Sequence, residues 1–155
     1  MFKYKIIGLA LILCSLYGFT PQSTSLADLE ITEQSYSEQI SYFANIYGAD
    51  SSLVKRVVDN ESGGKHNVKC GDGGRSCGIA QIQIPTWKDL EQKYNLEFAE
   101  DLNYNSQFDQ LKIITWGIAR GYGNKWTAYR CIMNGGKYSF YSSQLKKHFT
   151  VYCKL

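Results

Sequence analysis

From Tyr36 onward, apolar residues recur at three- and four-residue steps through most of the chain. The rhythm breaks in one stretch, 63–78, where six of sixteen residues are glycine. Such a chain can fold as helices around a core with one irregular insert. Tyr36, Ile40, Phe43, Ala44 and Tyr47 form the first stripe, ended by Gly48. Asp50 or Ser51 caps a second helix through Leu53, Val54, Val57, Val58 and Glu61, which Ser62-Gly63-Gly64 stops. The glycine-rich stretch predicts loop or a small hairpin, and Gly78–Ile84 a strand or buried loop. Pro85-Thr86-Trp87 predicts a helix start with Thr86 as cap and Asp89 completing a box-like pattern, running to about Tyr94. After a polar link to Asn105, Phe108, Leu111, Ile114, Thr115, Ile118 and Ala119 outline a longer amphipathic helix. Residues 121–124 break it. Trp126–Met133 predicts a short helix, and Tyr138–Phe149 another through Tyr141, Leu145 and Phe149. The expected fold class is mainly α: a single compact helical domain with a small irregular β or loop region.

The N-terminus has the form of an export signal. Lys3 and Lys5 precede an apolar run, Ile6–Leu16, that is short for a membrane span. Ser25-Leu26-Ala27 gives a small-x-small cleavage pattern, with a cut nearer Thr20–Ser23 as second choice. Residues 1–27 are therefore expected to be a signal peptide, 28–34 a short polar tether and 35–155 the folded domain. Cys14 lacks the small preceding residue that lipidation wants, since Leu13 stands there. An uncleaved anchor is the alternative to cleavage. The expected location is the periplasm or outside the cell, with no stable membrane span once the signal is removed.

Without the signal, Cys70, Cys77, Cys131 and Cys153 remain. In an exported domain four cysteines imply two disulfides. Cys70–Cys77 would close a tight glycine-rich loop and Cys131–Cys153 would tie the tail to the body, but the sequence does not fix which of three pairings forms. The spacing lacks paired C-x-x-C units and the two histidines, His66 and His148, sit elsewhere, so no metal is expected. Removing Lys3 and Lys5 from the 17 basic residues leaves 15 against 14 acidic ones. A near-neutral domain lacks the basic field that duplex binding needs, so no nucleic acid is expected. Lys146-Lys147 reads as a short solvated face. Twelve Tyr and three Trp instead supply rings with polar tips, suited to stacking on sugars and to cleft edges.

Glu61 is the chief candidate for chemistry. Leu53, Val57 and Glu61 are spaced by four and share one helix face, which is apolar. Glu61 also falls in the last helical turn, where the macrodipole is negative. Desolvation and dipole both disfavour its charged form and raise its pKa. A buried catalytic Glu is commonly tuned to roughly 6–7, where it can give a proton and take one back; the lysozyme acid is the standard example of that tuning.

Glu61-Ser62-Gly63-Gly64 followed by Ser76-Cys77-Gly78-Ile79-Ala80-Gln81-Ile82 resembles the signature of lytic transglycosylases with the soluble-type catalytic domain. That family shows Glu-Ser at a helix end and a Gly-Leu-Met-Gln-like run some fifteen to twenty residues later. Pro85-Thr86-Trp87 resembles its Pro-x-Thr segment, 102–108 loosely resembles its Leu-x-Asp-Pro-x-x-Asn-Ile helix start, and Trp126-Thr127-Ala128 resembles its Trp-x-Ala opening. The resemblance spans about 35–145. The chain departs from the pattern at Ile132-Met133-Asn134-Gly135, where the family has Tyr-Asn-Ala-Gly; Tyr129 would supply a ring from one turn earlier. The size and cysteines look closest to small members associated with secretion systems, pili and phages.

The resemblance implies a lysozyme-like α+β fold, no cofactor, a monomer, and cleavage of the β-1,4 bond between N-acetylmuramic acid and N-acetylglucosamine in peptidoglycan. Glu61 would protonate the bridging oxygen, then deprotonate the muramic 6-hydroxyl to give a 1,6-anhydro product. One carboxylate suffices because the nucleophile is tethered, whereas an ordinary glycosidase uses two. Gln81 would hydrogen-bond an N-acetyl or muramyl group, Ser62 and Ser76 would support Glu61, and Tyr129 and Trp126 would line the sugar track. Asp59, Asp72 and Asp89 are the nearest candidates for a second carboxylate. Asp59 faces away on the same helix, and Asp72 in Gly-Asp-Gly-Gly reads first as a turn residue. If Asp72 reached the cleft, a hydrolytic lysozyme would be favoured. The remaining alternatives are a catalytically inactive wall-binding part of a secretion machine and a disulfide-rich extracellular effector with no glycan target.

Overall fold

The computed structural model describes residues 34–143 and 146–155. The proposed signal and all but the last residue of the tether lie outside them. The described chain is mainly helical with two small antiparallel ladders: α1 (Tyr36–Tyr47), α2 (Ser51–Ser62), β1 (Ser76–Cys77), β2 (Ile82–Gln83), α3 (Ile84–Phe98), α4 (Gln107–Ala119), a 3-10 turn at Gly123–Lys125, α5 (Thr127–Met133), β3 (Lys137–Ser142) and β4 (Lys147–Tyr152).

The first two helices begin and end where their cap residues stand. Ser35 and Glu38 form a reciprocal capping box on α1, and Asp50 accepts from the backbone N–H of Ser52 and Leu53 on α2. Gly48 and Gly63 close them in the left-handed conformation.

α4 is the axis of the core. Every residue from Leu111 to Ile118 is buried, and α1, α2 and α3 pack against it. It is therefore not amphipathic, as its spacing predicts, but enclosed on all sides. Its polar residues concealed this because each has a partner. Lys112 Nζ lies 2.5 Å from Glu100 Oε1, Thr115 donates to the Leu111 carbonyl, and Gln110 bonds at both ends of its amide. Phe43 of α1 meets Phe108 edge-on at 4.8 Å.

α3 differs from expectation at both ends. It starts at Ile84 directly from β2, with Pro85 in the first turn, where a missing N–H is harmless; Gln83 is the cap residue and Thr86 does not cap. It runs on to Phe98 rather than stopping near Tyr94. Its final turn is pinned by Glu97, which accepts from Trp116 Nε1 at 2.9 Å and pairs with Arg120.

The expected helix over 138–149 is instead a β-hairpin, with Tyr138 opposite Val151, Phe140 opposite Phe149 and Tyr141 opposite His148. The residues alternate half-buried and exposed along β3, a period of two that the aromatic and β-branched composition supports. Leu145, one anchor of the expected helix, lies outside the described residues. Cys70 pairs with Cys77 and Cys131 with Cys153, so the tail is tied to α5. Asn60 and Lys154 exchange two hydrogen bonds, at 2.9 and 3.1 Å, which fastens the segment after β4 to the end of α2.

The Gly78–Gln81 turn is clamped from two sides. Ala80 N–H donates to Gln110 Oε1 at 3.1 Å, while the Ala80 carbonyl accepts from Trp126 Nε1 at 3.0 Å. Gln110 Nε2 donates to the Tyr104 carbonyl at 2.8 Å. Gly78 has φ +77, and a Cβ there would come within 2.1 Å of the Gln110 amide. Gly117 lets the Trp126 ring lie on α4, 3.3 Å from where a Cβ would stand. Replacing Gln110 by leucine keeps the volume but leaves the buried Ala80 N–H unpaired. Urea unfolding of Q110L is expected to show a loss of about 2 kcal/mol; an unchanged midpoint would remove Gln110 from this role.

Candidate active site

Glu61 stands in the last turn of α2, at the wall of a cleft of about 360 Å³. The cleft lies between the end of α2, the β1–β2 region and the start of α5. Its lining includes Asp72, Ser76, Gln81, Trp126, Thr127 and Arg130. Val54, Val57 and Val58 fill the core behind Glu61, and the side chain itself is mostly withdrawn from water.

Four influences act on the Glu61 carboxyl. Desolvation by burial is the largest and raises its pKa. The Ala128 N–H, donating to Oε1 at 3.1 Å, lowers it; the neighbouring negative charge of Asp72 raises it; Arg130 lowers it. The result is a pKa pushed up from an ordinary 4.5 to about 7. Near neutral pH this carboxyl is present in both forms, as a group that must donate and then accept a proton requires.

Asp72 has a double character. It adopts a left-handed backbone conformation, φ 51, within its glycine-rich turn, and it lines the same cleft as Glu61. Its Oδ2 accepts from Ser76 Oγ at 2.7 Å and from Gln83 Nε2 at 3.1 Å, so two donors from β1 and β2 orient the carboxylate. The other candidate carboxylates are occupied elsewhere. Asp59 takes Tyr36 and Lys55, and Asp89 takes Lys93 and Lys125.

The remaining candidates divide. Ser76 and Gln81 line the cleft. Gln81, at φ 46, bridges its own loop, accepting from Gly71 N–H at 3.0 Å and donating to the Gly78 carbonyl at 2.9 Å. Trp126 contributes to the lining while otherwise buried. Two expected residues are not among the lining. Ser62 Oγ donates back to the Val58 carbonyl at 3.2 Å, which satisfies a helix-end acceptor. Tyr129 turns its ring onto Gly123, where a Cβ would sit 2.5 Å away, and packs against the core. In its place the cleft has Thr127 and Arg130, joined by a 3.1 Å hydrogen bond from Arg130 Nη2. The Trp-Thr-Ala motif pointed to this corner but not to the arginine one turn on. Arg130 Nε is buried and has no hydrogen-bond partner among the described residues. No group of three or more His, Cys, Asp or Glu among the described residues is placed to hold a metal, and no helix there is long and apolar enough to cross a membrane.

The raised pKa has a stability consequence of definite sign. Below about pH 4.5 the folded and unfolded chains both hold the Glu61 proton, so the group adds no pH-dependent term. Between 4.5 and 7 the unfolded chain releases the proton and the folded one retains it, so folding loses stability. The loss is complete above pH 7. Glu61→Gln removes the ionisation and keeps an acceptor for Ala128 N–H. Its unfolding free energy is expected to exceed that of the parent by about 3 kcal/mol at pH 8 and to match it at pH 4. An equal difference at both pH values would contradict the desolvated carboxyl. No family profile matches this chain, and no curated protein or solved structure matches it.

Proposed function

We propose that this protein cleaves the β-1,4 bond between N-acetylmuramic acid and N-acetylglucosamine in peptidoglycan, with Glu61 as proton donor to the bridging oxygen. The observation that carries the reading is a single carboxyl group, raised to about 7 by burial, at the wall of a polar cleft. Glu61 at a helix end beside a short two-stranded ladder is consistent with the lysozyme-like arrangement that the motifs imply. The Gly-Ile-Ala-Gln segment supports it as well, since Gln81 shares the cleft with Glu61. Location outside the cytoplasm agrees with two disulfides. Service to a secretion, pilus or phage machine remains part of the proposal through the resemblance alone.

The fate of the sugar cation distinguishes two readings. The motifs imply the transglycosylase course, in which deprotonated Glu61 activates the muramic 6-hydroxyl. Asp72 on the cleft wall favours hydrolysis, because a second oriented carboxylate is what a conventional glycosidase needs to stabilise the cation or deliver water. A scaffold with no activity would have no use for a desolvated acid that lowers its stability at neutral pH.

Mass spectrometry of muropeptides released from purified sacculi tests both levels. Cleavage is expected, with products bearing reducing ends rather than 1,6-anhydro ends, and E61Q is expected to lower the rate roughly 100- to 10,000-fold. Anhydro ends would return the reading to the transglycosylase course. Unchanged lysis by E61Q would remove Glu61 as the catalyst. The rate should also fall by about tenfold per pH unit above 7, as the acid form of Glu61 is lost.

A further inference from the structure

Charge is distributed unevenly along the chain. All 14 acidic residues lie at or before Asp109, and eight basic residues follow it with no acidic one among them. Lys137, Lys146 and Lys147 belong to the β3–β4 hairpin or its turn, and Lys154 follows β4.

One face of that hairpin carries a row of rings. Tyr138 and Phe140 are stacked at 5.8 Å and 21°, and Phe140 and Phe149 at 5.7 Å and 22°. All three are half-buried and stand outside the hydrophobic core. The row connects to the cleft. Arg130, which lines the cleft, holds its guanidinium 4.8 Å from the centre of the Tyr138 ring. At the far end Lys147 Nζ lies 5.9 Å from the Phe149 ring. A cation on the cleft wall, three near-parallel rings and a second cation thus form one continuous chain of contacts.

We infer that this row is an outer binding track for a long glycan strand that bears carboxylates. The inference rests on the cleft's reading as a glycan-cleaving site. The rings offer apolar surface to the C–H groups of successive sugars, and the two cations that end the row, Arg130 and Lys147, suit acidic substituents such as the carboxylates of wall stem peptides. Continuity with the cleft through Arg130 favours this occupant over a lipid surface.

The test uses the full chain in an E61Q background, so that strands bind without being cut. E61Q is expected to bind long glycan strands from sacculi more tightly than a tetrasaccharide of the same repeat. E61Q/F140L/F149L keeps apolar side chains and removes two rings; its affinity for long strands is expected to fall by about tenfold. E61Q/K147Q, which leaves every ring in place, should bind long strands more weakly with a shallower salt dependence. Melting curves matching that of E61Q would establish that both variants are folded. Long-strand affinity unchanged in both variants would overturn the outer track while leaving the cleft reading intact. Failure of the parent chain to cleave sacculi, together with failure of E61Q to bind them, would overturn both. Binding to phosphatidylglycerol vesicles but not to sacculi would assign the face to a membrane and likewise overturn the track.

Discussion

The peptide groups of Ala80 hold this structure's chemistry in place. A buried N–H and a buried carbonyl on one residue must both be paired, and neither finds its partner in regular secondary structure. Gln110 reaches the first from the central helix and Trp126 the second from the segment leading into α5. Three parts of the chain that are distant in sequence are thereby fixed around one small turn. The same turn presents Gln81 to the cleft, and α5, which starts just after Trp126, brings Ala128 to Glu61. Ile79 and Ala80 of this turn pack into the core, and these two hydrogen bonds together with the absence of a Cβ at residue 78 fix how the turn sits there.

Opposed influences, not one dominant partner, set the state of Glu61. Burial acts against the charge, while a backbone donor and Arg130 act in its favour. A full ion pair with Arg130 would keep the carboxylate ionised and useless as an acid. Burial with no donor would leave it unable to support the anion after proton transfer. Asp72 adds a repulsion that favours retention of the proton.

Much of this was legible in the residues. The first two helices are bounded by Ser35, Asp50 and the glycines that follow, and such local cap signals survive any tertiary context. Glu61 was legible because its spacing from Leu53 and Val57 places it on an apolar face. The hairpin was not, because Tyr141 and Phe149 also fit a helical spacing and the period-two alternation is short; pairing between strands decided the matter. Thr86 mimicked a cap because its spacing to Asp89 fits a box, yet β2 delivers the chain straight into Pro85. Ser62 and Tyr129 carried the expected chemistry but are turned to the helix backbone and to Gly123, orientations that no spacing rule encodes. Arg130 was missed for the converse reason, since only its contact with Thr127 and its place on the cleft give it meaning.

The hydrogen bonds between Asn60 and Lys154 connect positions 94 residues apart, next door to the acid. Every group that acts on Glu61 from outside its own helix lies later in the chain: Asp72, Ala128, Arg130. The acid-bearing helix on its own is an ordinary amphipathic segment, and the groups that tune its acid come from later in the sequence. A chain lacking the residues from Thr127 onward would lack the N–H that steadies the anion. The proton affinity of Glu61 is therefore a property of the assembled fold and not of the helix that carries it.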